Sequence, residues 1–271
     1  RLAAADAEMA ADYREARAPS AWRAVRATRR LLLMMLWTVV CIPVQAACIA
    51  LGGRPPVVVA RWYHATLCRI GGIRVRVIGE AAKPSPGRPV LFLSNHQSWA
   101  DILVLGGRIE ACFVSKAEVG SWPLIRTVAR LGRTLYVSRR RGATGREKDE
   151  IIARLAAGDS LMLFPEGTTS DGARVLPFRS ALVGAVEGNG TRPIVQPVSI
   201  VFDRLDGLPV TRPHRPHFAW YGDMEIASHA WTLLGRRSSR ATILLHTPLD
   251  PAAFPSRKAV AEAAWRAVDQ G

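Results

Sequence analysis

The run Pro89-Val90-Leu91-Phe92-Leu93-Ser94-Asn95-His96-Gln97-Ser98-Trp99-Ala100-Asp101 decides the fold. Its first half is short and apolar, as in a buried strand, and its second half is polar and leads into a helix-like segment, Trp99 to Leu105. The arrangement recurs where Ser160 to Leu163 precedes Phe164-Pro165-Glu166-Gly167-Thr168-Thr169-Ser170-Asp171-Gly172. Two apolar strands that each end in a polar loop place both loops at one edge of a sheet, where α/β proteins build their sites.

Outward from these stretches, strand and helix patterns take turns. Ile73, Val75 and Val77 alternate with Arg74 and Arg76, a strand period. A loop from Gly79 to Pro89 follows. Cys112–Ser115 and Thr134–Ser138 read as strands, with a helix at Pro123–Leu131 between them. Gly145–Ala157 reads as a helix with Ile151, Ile152 and Leu155 on one face and Gly158 as its stop. Ser160–Phe164 and Ile194–Phe202 read as strands. Beyond a proline-containing loop, Leu205 to His217, the pattern predicts a strand at Ala241–His246 and a closing helix at Ser256–Val268. Trp231, Leu233 and Leu234 suit either a membrane interface or a core. The whole predicts an α/β fold, a mostly parallel sheet flanked by helices.

Ahead of this body, Leu31 to Gly53 holds no charged residue over 23 positions. About 20 apolar residues suffice to span a bilayer, and the run starts too late for a signal peptide. Arg23, Arg26, Arg29 and Arg30 precede it, and Arg54, Arg61, Arg69, Arg74 and Arg76 follow it. The symmetric charge fits a single span or a hairpin dipping into one leaflet. Pro43 and Gln45 interrupt its middle, and Val57 to Ile70 reads as a second, amphipathic helix. The expected division is therefore 1–70, an arm and helical membrane segment, and 71–271, the α/β domain.

Lys and Arg number 37 against 22 Asp and Glu, a formal charge of +15. Zinc-finger spacing and aromatic RNA-binding signatures are absent, so nucleic acid is not the expected partner. A basic balance also suits anionic lipid or an acidic protein partner, and an apolar fraction of 49% points toward a membrane. Cys41, Cys48, Cys68 and Cys112 lack ligand spacing, so free thiols and no metal are expected.

His96 with Asp101 suits general-base chemistry, the carboxylate fixing the imidazole tautomer. By itself the pair fits a structural histidine equally well. No Gly-x-Ser-x-Gly nucleophile elbow occurs, which leaves the substrate's own hydroxyl as nucleophile. Glu166 to Ser170 adds a carboxylate, a glycine that lets a ligand approach the backbone, and hydroxyls. Arg139, closing Leu135-Tyr136-Val137-Ser138, is a candidate phosphate fork, although it opens a run of three arginines.

Asn95-His96-x4-Asp101 together with Phe164-Pro165-Glu166-Gly167-Thr168 resembles the glycerolipid acyltransferase family. Gly132 to Arg139 is similar to the family's second motif and Gln196-Pro197-Val198 to its fourth, so all four lie in order across roughly 72 to 203. The resemblance implies a glycerol-3-phosphate acyltransferase-like fold. It implies His96 as general base and Asp101 as the residue that orients it. It implies Asn95, Arg139, Glu166, Gly167 and Thr168 as the acceptor's binding residues. The donor would be an acyl thioester on coenzyme A or acyl carrier protein, with no cofactor. Lysophosphatidic acid, acylated to phosphatidic acid, is the first expected acceptor, at a bacterial-type inner membrane with the site facing the cytoplasm. Thr169 departs from the arginine often found there. Thr168-Thr169-Ser170-Asp171-Gly172, Leu176-Pro177-Phe178 and Trp220-Tyr221-Gly222-Asp223 resemble a bacterial subset that acylates lyso-ornithine lipid, the second expected acceptor. A catalytically inactive, membrane-anchored lipid-binding protein is the alternative of another class.

Overall fold

A computed structural model describes residues 21–116, 132, 134–137, 144–187 and 192–271. Arg139 and the helix predicted at 123–131 lie outside these residues.

The first element, α1 (Ala21–Leu51), runs through Pro43 without a break. A proline removes one donor, and the flanking turns keep the remaining ladder. After Gly52-Gly53 the chain reverses into α2 (Pro55–Gly71), which opens on two prolines and closes on Gly72 at φ 75°. The helices run antiparallel. Thr38 Oγ1 meets the Tyr63 hydroxyl at 2.9 Å, and Gln45 Nε2 donates to the Pro56 carbonyl at 2.9 Å.

Both ends of this hairpin are tied to the body. At the tip, Arg54 and Arg61 pair with Glu110 at 2.9 and 3.6 Å. At the base, Arg30 donates to the Leu234, Arg236 and Arg237 carbonyls. The outer face of α1 is nonetheless apolar and open, with Leu32, Leu36 and Val39 about 60% exposed. Alone among the described helices, it is long and apolar enough to cross a membrane. An open apolar face of this kind suits association with a membrane.

The body is one sheet. Its strands are β1 (Ile73–Ile78), β2 (Val90–Ser94), β3 (Cys112–Lys116), β4 (Leu135–Val137), β5 (Leu161–Leu163), β6 (Ile194–Leu205), β7 (Leu208–Pro209) and β8 (Ser239–Leu245). Their order is β1-β8-β6-β2-β5-β3-β4, with β7 on β6. The helices α3 (Ala100–Gly106), α4 (Thr144–Ala156), α5 (Ile226–Gly235) and α6 (Arg257–Asp269) complete the body.

β2 sits near the centre and shows why the sheet is covered on both sides. Val90 and Phe92 enter one core with α3 and α5 residues, and Leu91 and Leu93 enter the other with α4 and α6 residues. Such doubly buried strands read as continuous apolar runs.

The mostly parallel sheet is as expected, with two antiparallel pairings, β7 on β6 and β8 on β6. β8 pairs antiparallel to β6 and parallel to β1. Pro197 lies on β6, and its carbonyl accepts from His246 N at 3.1 Å, a bond that needs no proline N–H. Gln196 beside it is fully buried, accepting from Ala82 N and donating to the Glu80 and His246 carbonyls. The Gln196-Pro197 motif thus fastens the 79–89 loop and β8 to the central sheet. Leu233 and Leu234 belong to the core, whereas Trp231 is partly exposed.

Candidate active site

His96 leaves the carboxyl end of β2 and faces solvent with 20% of its side chain. Asp101 stands in the first turn of α3 and is wholly buried. Its Oδ2 lies 2.8 Å from His96 Nδ1 and accepts from the backbone N–H of Gln97 and Ser98, each at 2.8 Å. With Nδ1–H donated to a carboxylate, Nε2 carries the lone pair. A buried carboxylate held by backbone donors cannot swing away, so tautomer and ring direction are both set. Phe164 fixes the ring plane, stacked on His96 with centroids 3.9 Å apart and planes at 16°.

The loop after β5 grips the loop after β2. Glu166 is 2% exposed, and its two oxygens are both engaged. Oε1 accepts from His96 N at 2.7 Å and Oε2 from Leu176 N at 2.9 Å. Burial pushes its carboxyl up to about 7, against the pull of those two amides. Ser170 N donates to the His96 carbonyl at 2.9 Å. Gly172 closes the grip, since a Cβ there would fall 2.6 Å from Gln97 Oε1. Asn95 pins the other side by exchanging both its amide groups with the Ile200 backbone, at 2.9 and 2.8 Å.

Glu166 and Asn95 were expected among the acceptor-binding residues, and the geometry makes each a strut that immobilises the His96 backbone. Gly167, at φ 71°, and exposed Thr168 form the open part of the same turn. Three further residues carry weight that motif reading did not assign. Phe164 stacks on the base. Gln97 donates to the Ile200 carbonyl and receives Trp220 N on its own carbonyl. Arg179 lies over Gly167, with its Cζ 3.2 Å from where a Cβ would stand, and its N–H is anchored to the Pro165 carbonyl. Arg179 sits just after the quoted Leu176-Pro177-Phe178, but nothing local in that sequence says it folds back.

A row of rings links the base to the hairpin. Phe113 stacks near Phe164 at 6.2 Å, His64 of α2 meets Phe113 at 6.2 Å, and Tyr63 meets His64 at 5.2 Å. The site therefore abuts the apolar hairpin.

The family model for acyltransferases matches residues 74–201, the stretch that holds the His96–Asp101 pair and the Glu166 turn. A lyso-ornithine lipid O-acyltransferase of Brucella abortus is 40% identical over 206 residues, spanning 74% of this chain and 76% of that one.

The chain belongs to the acyltransferase family.

Other relatives of the acyltransferase agree. A lyso-ornithine lipid O-acyltransferase of Rhizobium meliloti is 40% identical, covering 73% of this chain and 69% of the relative. A 1-acyl-sn-glycerol-3-phosphate acyltransferase of Neisseria gonorrhoeae is 28% identical, covering 58% and 60%. The fold matches the crystal structure of the acyltransferase PlsC from Thermotoga maritima with a TM-score of 0.58, across 89% of this chain and 95% of that one, at 22% identity.

Proposed function

We propose that the protein moves a fatty acyl chain from a thioester to the free hydroxyl of lyso-ornithine lipid, with His96 as general base and Asp101 as its orienting partner. The acceptor's O–H proton passes to His96 Nε2. The oxygen attacks the thioester carbonyl, the C–S bond breaks, and the thiolate takes the proton back from His96. No acyl-enzyme forms. The single observation that carries this reading is the His96 Nδ1 to Asp101 Oδ2 contact at 2.8 Å, on a ring that keeps 20% of its side chain exposed.

Sequence alone ranks lysophosphatidic acid first. The identities favour lyso-ornithine lipid, because four relatives with that name are 35 to 40% identical whereas the Neisseria enzymes reach 28%. Thr169 supports the same choice, since a carboxylate head needs less positive charge than a phosphate monoester. Arg179, over the Gly167 turn, is the cation we assign to that head, and Gly167 and Thr168 line its approach. Arg139 keeps its proposed role as a second fork.

The donor is a thioester on coenzyme A or acyl carrier protein. The carrier is acidic, and a +15 chain attracts it. Residues 1–70 serve as the membrane segment and 71–271 as the catalytic domain, on the cytoplasmic side of a bacterial inner membrane where thioester donors are made. The test offers purified enzyme lyso-ornithine lipid and lysophosphatidic acid side by side. Turnover chiefly of the former is expected, and a preference for the latter would restore phosphatidic acid as product.

A further inference from the structure

Where α1 meets α5, Arg23, Arg26, Arg236 and Arg237 line an open cleft of about 560 Å³ with Trp22, Gly235 and Asp206. Four guanidinium groups face one carboxylate. That carboxylate is occupied, because Asp206 Oδ1 accepts from the backbone N–H of Arg237 and Ser238, and Oδ2 lies 3.7 Å from Arg236. Neighbouring His217 adds no negative charge, and burial beside Arg236 holds its imidazole down at about 3, hence neutral. Arg26 and Arg30 place their donors on the last carbonyls of α5, which gives them a structural duty. Arg23 lies on α1 and Arg237 just beyond the end of α5, so these two bring cations to the cleft from both of its sides.

The cleft's position decides what fills it. The uncharged, outward-facing stretch of α1 begins at Leu31, five residues after Arg26, an axial rise of about 7.5 Å. Trp22 stands at the rim, 78% exposed, the residue type that settles at bilayer headgroup level. Guanidinium groups so placed meet lipid phosphates when the apolar face enters the acyl region.

We infer that this cleft binds the phosphodiester headgroup of an anionic bilayer lipid, a site separate from the one at His96. A lipid held there pins the base of α1 and sets the depth at which the His96 face meets the bilayer.

The test is partitioning of the purified full chain into vesicles of phosphatidylcholine alone and of phosphatidylcholine with phosphatidylglycerol. Arg23→Gln/Arg237→Gln is expected to lower partitioning into the anionic vesicles by roughly 30-fold, from about 1 kcal/mol per cation near an anionic surface. Partitioning into neutral vesicles, driven by α1, stays. Arg74→Gln/Arg76→Gln removes the same charge from the exposed side of β1 and is expected to keep the anionic preference. Arg23→Lys/Arg237→Lys restores charge and is expected to recover most of the binding, which separates lost recognition from misfolding. Equal loss from both glutamine pairs would reduce the effect to net charge and overturn the inference. So would a wild type indifferent to phosphatidylglycerol. Intact vesicle binding with weakened binding of acidic carrier protein would make the cleft a protein site instead.

Discussion

Asp101 holds one oxygen against three donors, the His96 ring and two backbone amides, so charge and geometry are supplied by one buried atom. Asp101→Asn is expected to keep the fold, because an amide oxygen still accepts from the backbone, while acyl transfer falls about 100-fold or more through the wrong imidazole tautomer. Near-wild-type turnover with an unchanged melting temperature would remove the pair from the mechanism. Glu166 makes a different prediction. Its carboxyl is raised to about 7, above the ~4.3 of an exposed glutamate. Between these values the folded chain holds a proton that the unfolded chain has released. The stability this group contributes is therefore fully present below the lower value and lost as pH rises to the upper. Glu166→Gln cannot titrate, so its stability deficit relative to wild type should shrink as pH rises through that window, measured by urea unfolding. A deficit independent of pH would contradict the raised carboxyl. His96 and Asp101 were legible from residue type and spacing, because a base with an orienting carboxylate is local in sequence. The strut roles of Glu166 and Asn95 were not, since their partners lie 10 to 105 residues away and are backbone groups.

At the scale of elements, α1 carries its apolar side chains outward while both hairpin ends are fastened to the body. In water, a polar substitution on such an exposed face changes stability by about 0.5 kcal/mol at most. In a bilayer each charge placed centrally costs about 2.5–3.5 kcal/mol. Leu36→Asp/Val39→Asp is therefore expected to release the protein from membranes while its melting temperature in detergent stays close to wild type. Full retention in the membrane fraction would show that α1 does not hold the protein there. Most elements were readable from period alone, with ends shifted by a residue or two. β6 and α1 extend further, to Leu205 and back to Ala21. The direction of β8 was not readable, because an alternating strand looks the same in either direction and only its partners orient it. Pro43 reads locally as an interruption, yet the helix continues, since one missing donor does not outweigh the surrounding turns.

For the whole molecule, charge and topology bear on the donor. A +15 chain favours an acidic carrier, so turnover with acyl carrier protein should fall more steeply with added salt than turnover with the coenzyme A thioester. Equal salt dependence would remove the carrier preference. The sheet brings β2 and β5 side by side, so that two loops some 70 residues apart close on one histidine, and the ring row from Tyr63 to Phe164 sets that histidine beside the hairpin. Acyl transfer at this one place is tested most directly by the turnover of purified His96→Ala with a fatty acyl thioester and lyso-ornithine lipid, beside wild type of equal melting temperature. Wild type should form the ester and the variant should lose at least about 100-fold of that rate; a variant that turns over as fast as wild type would contradict the assignment of His96 as the base.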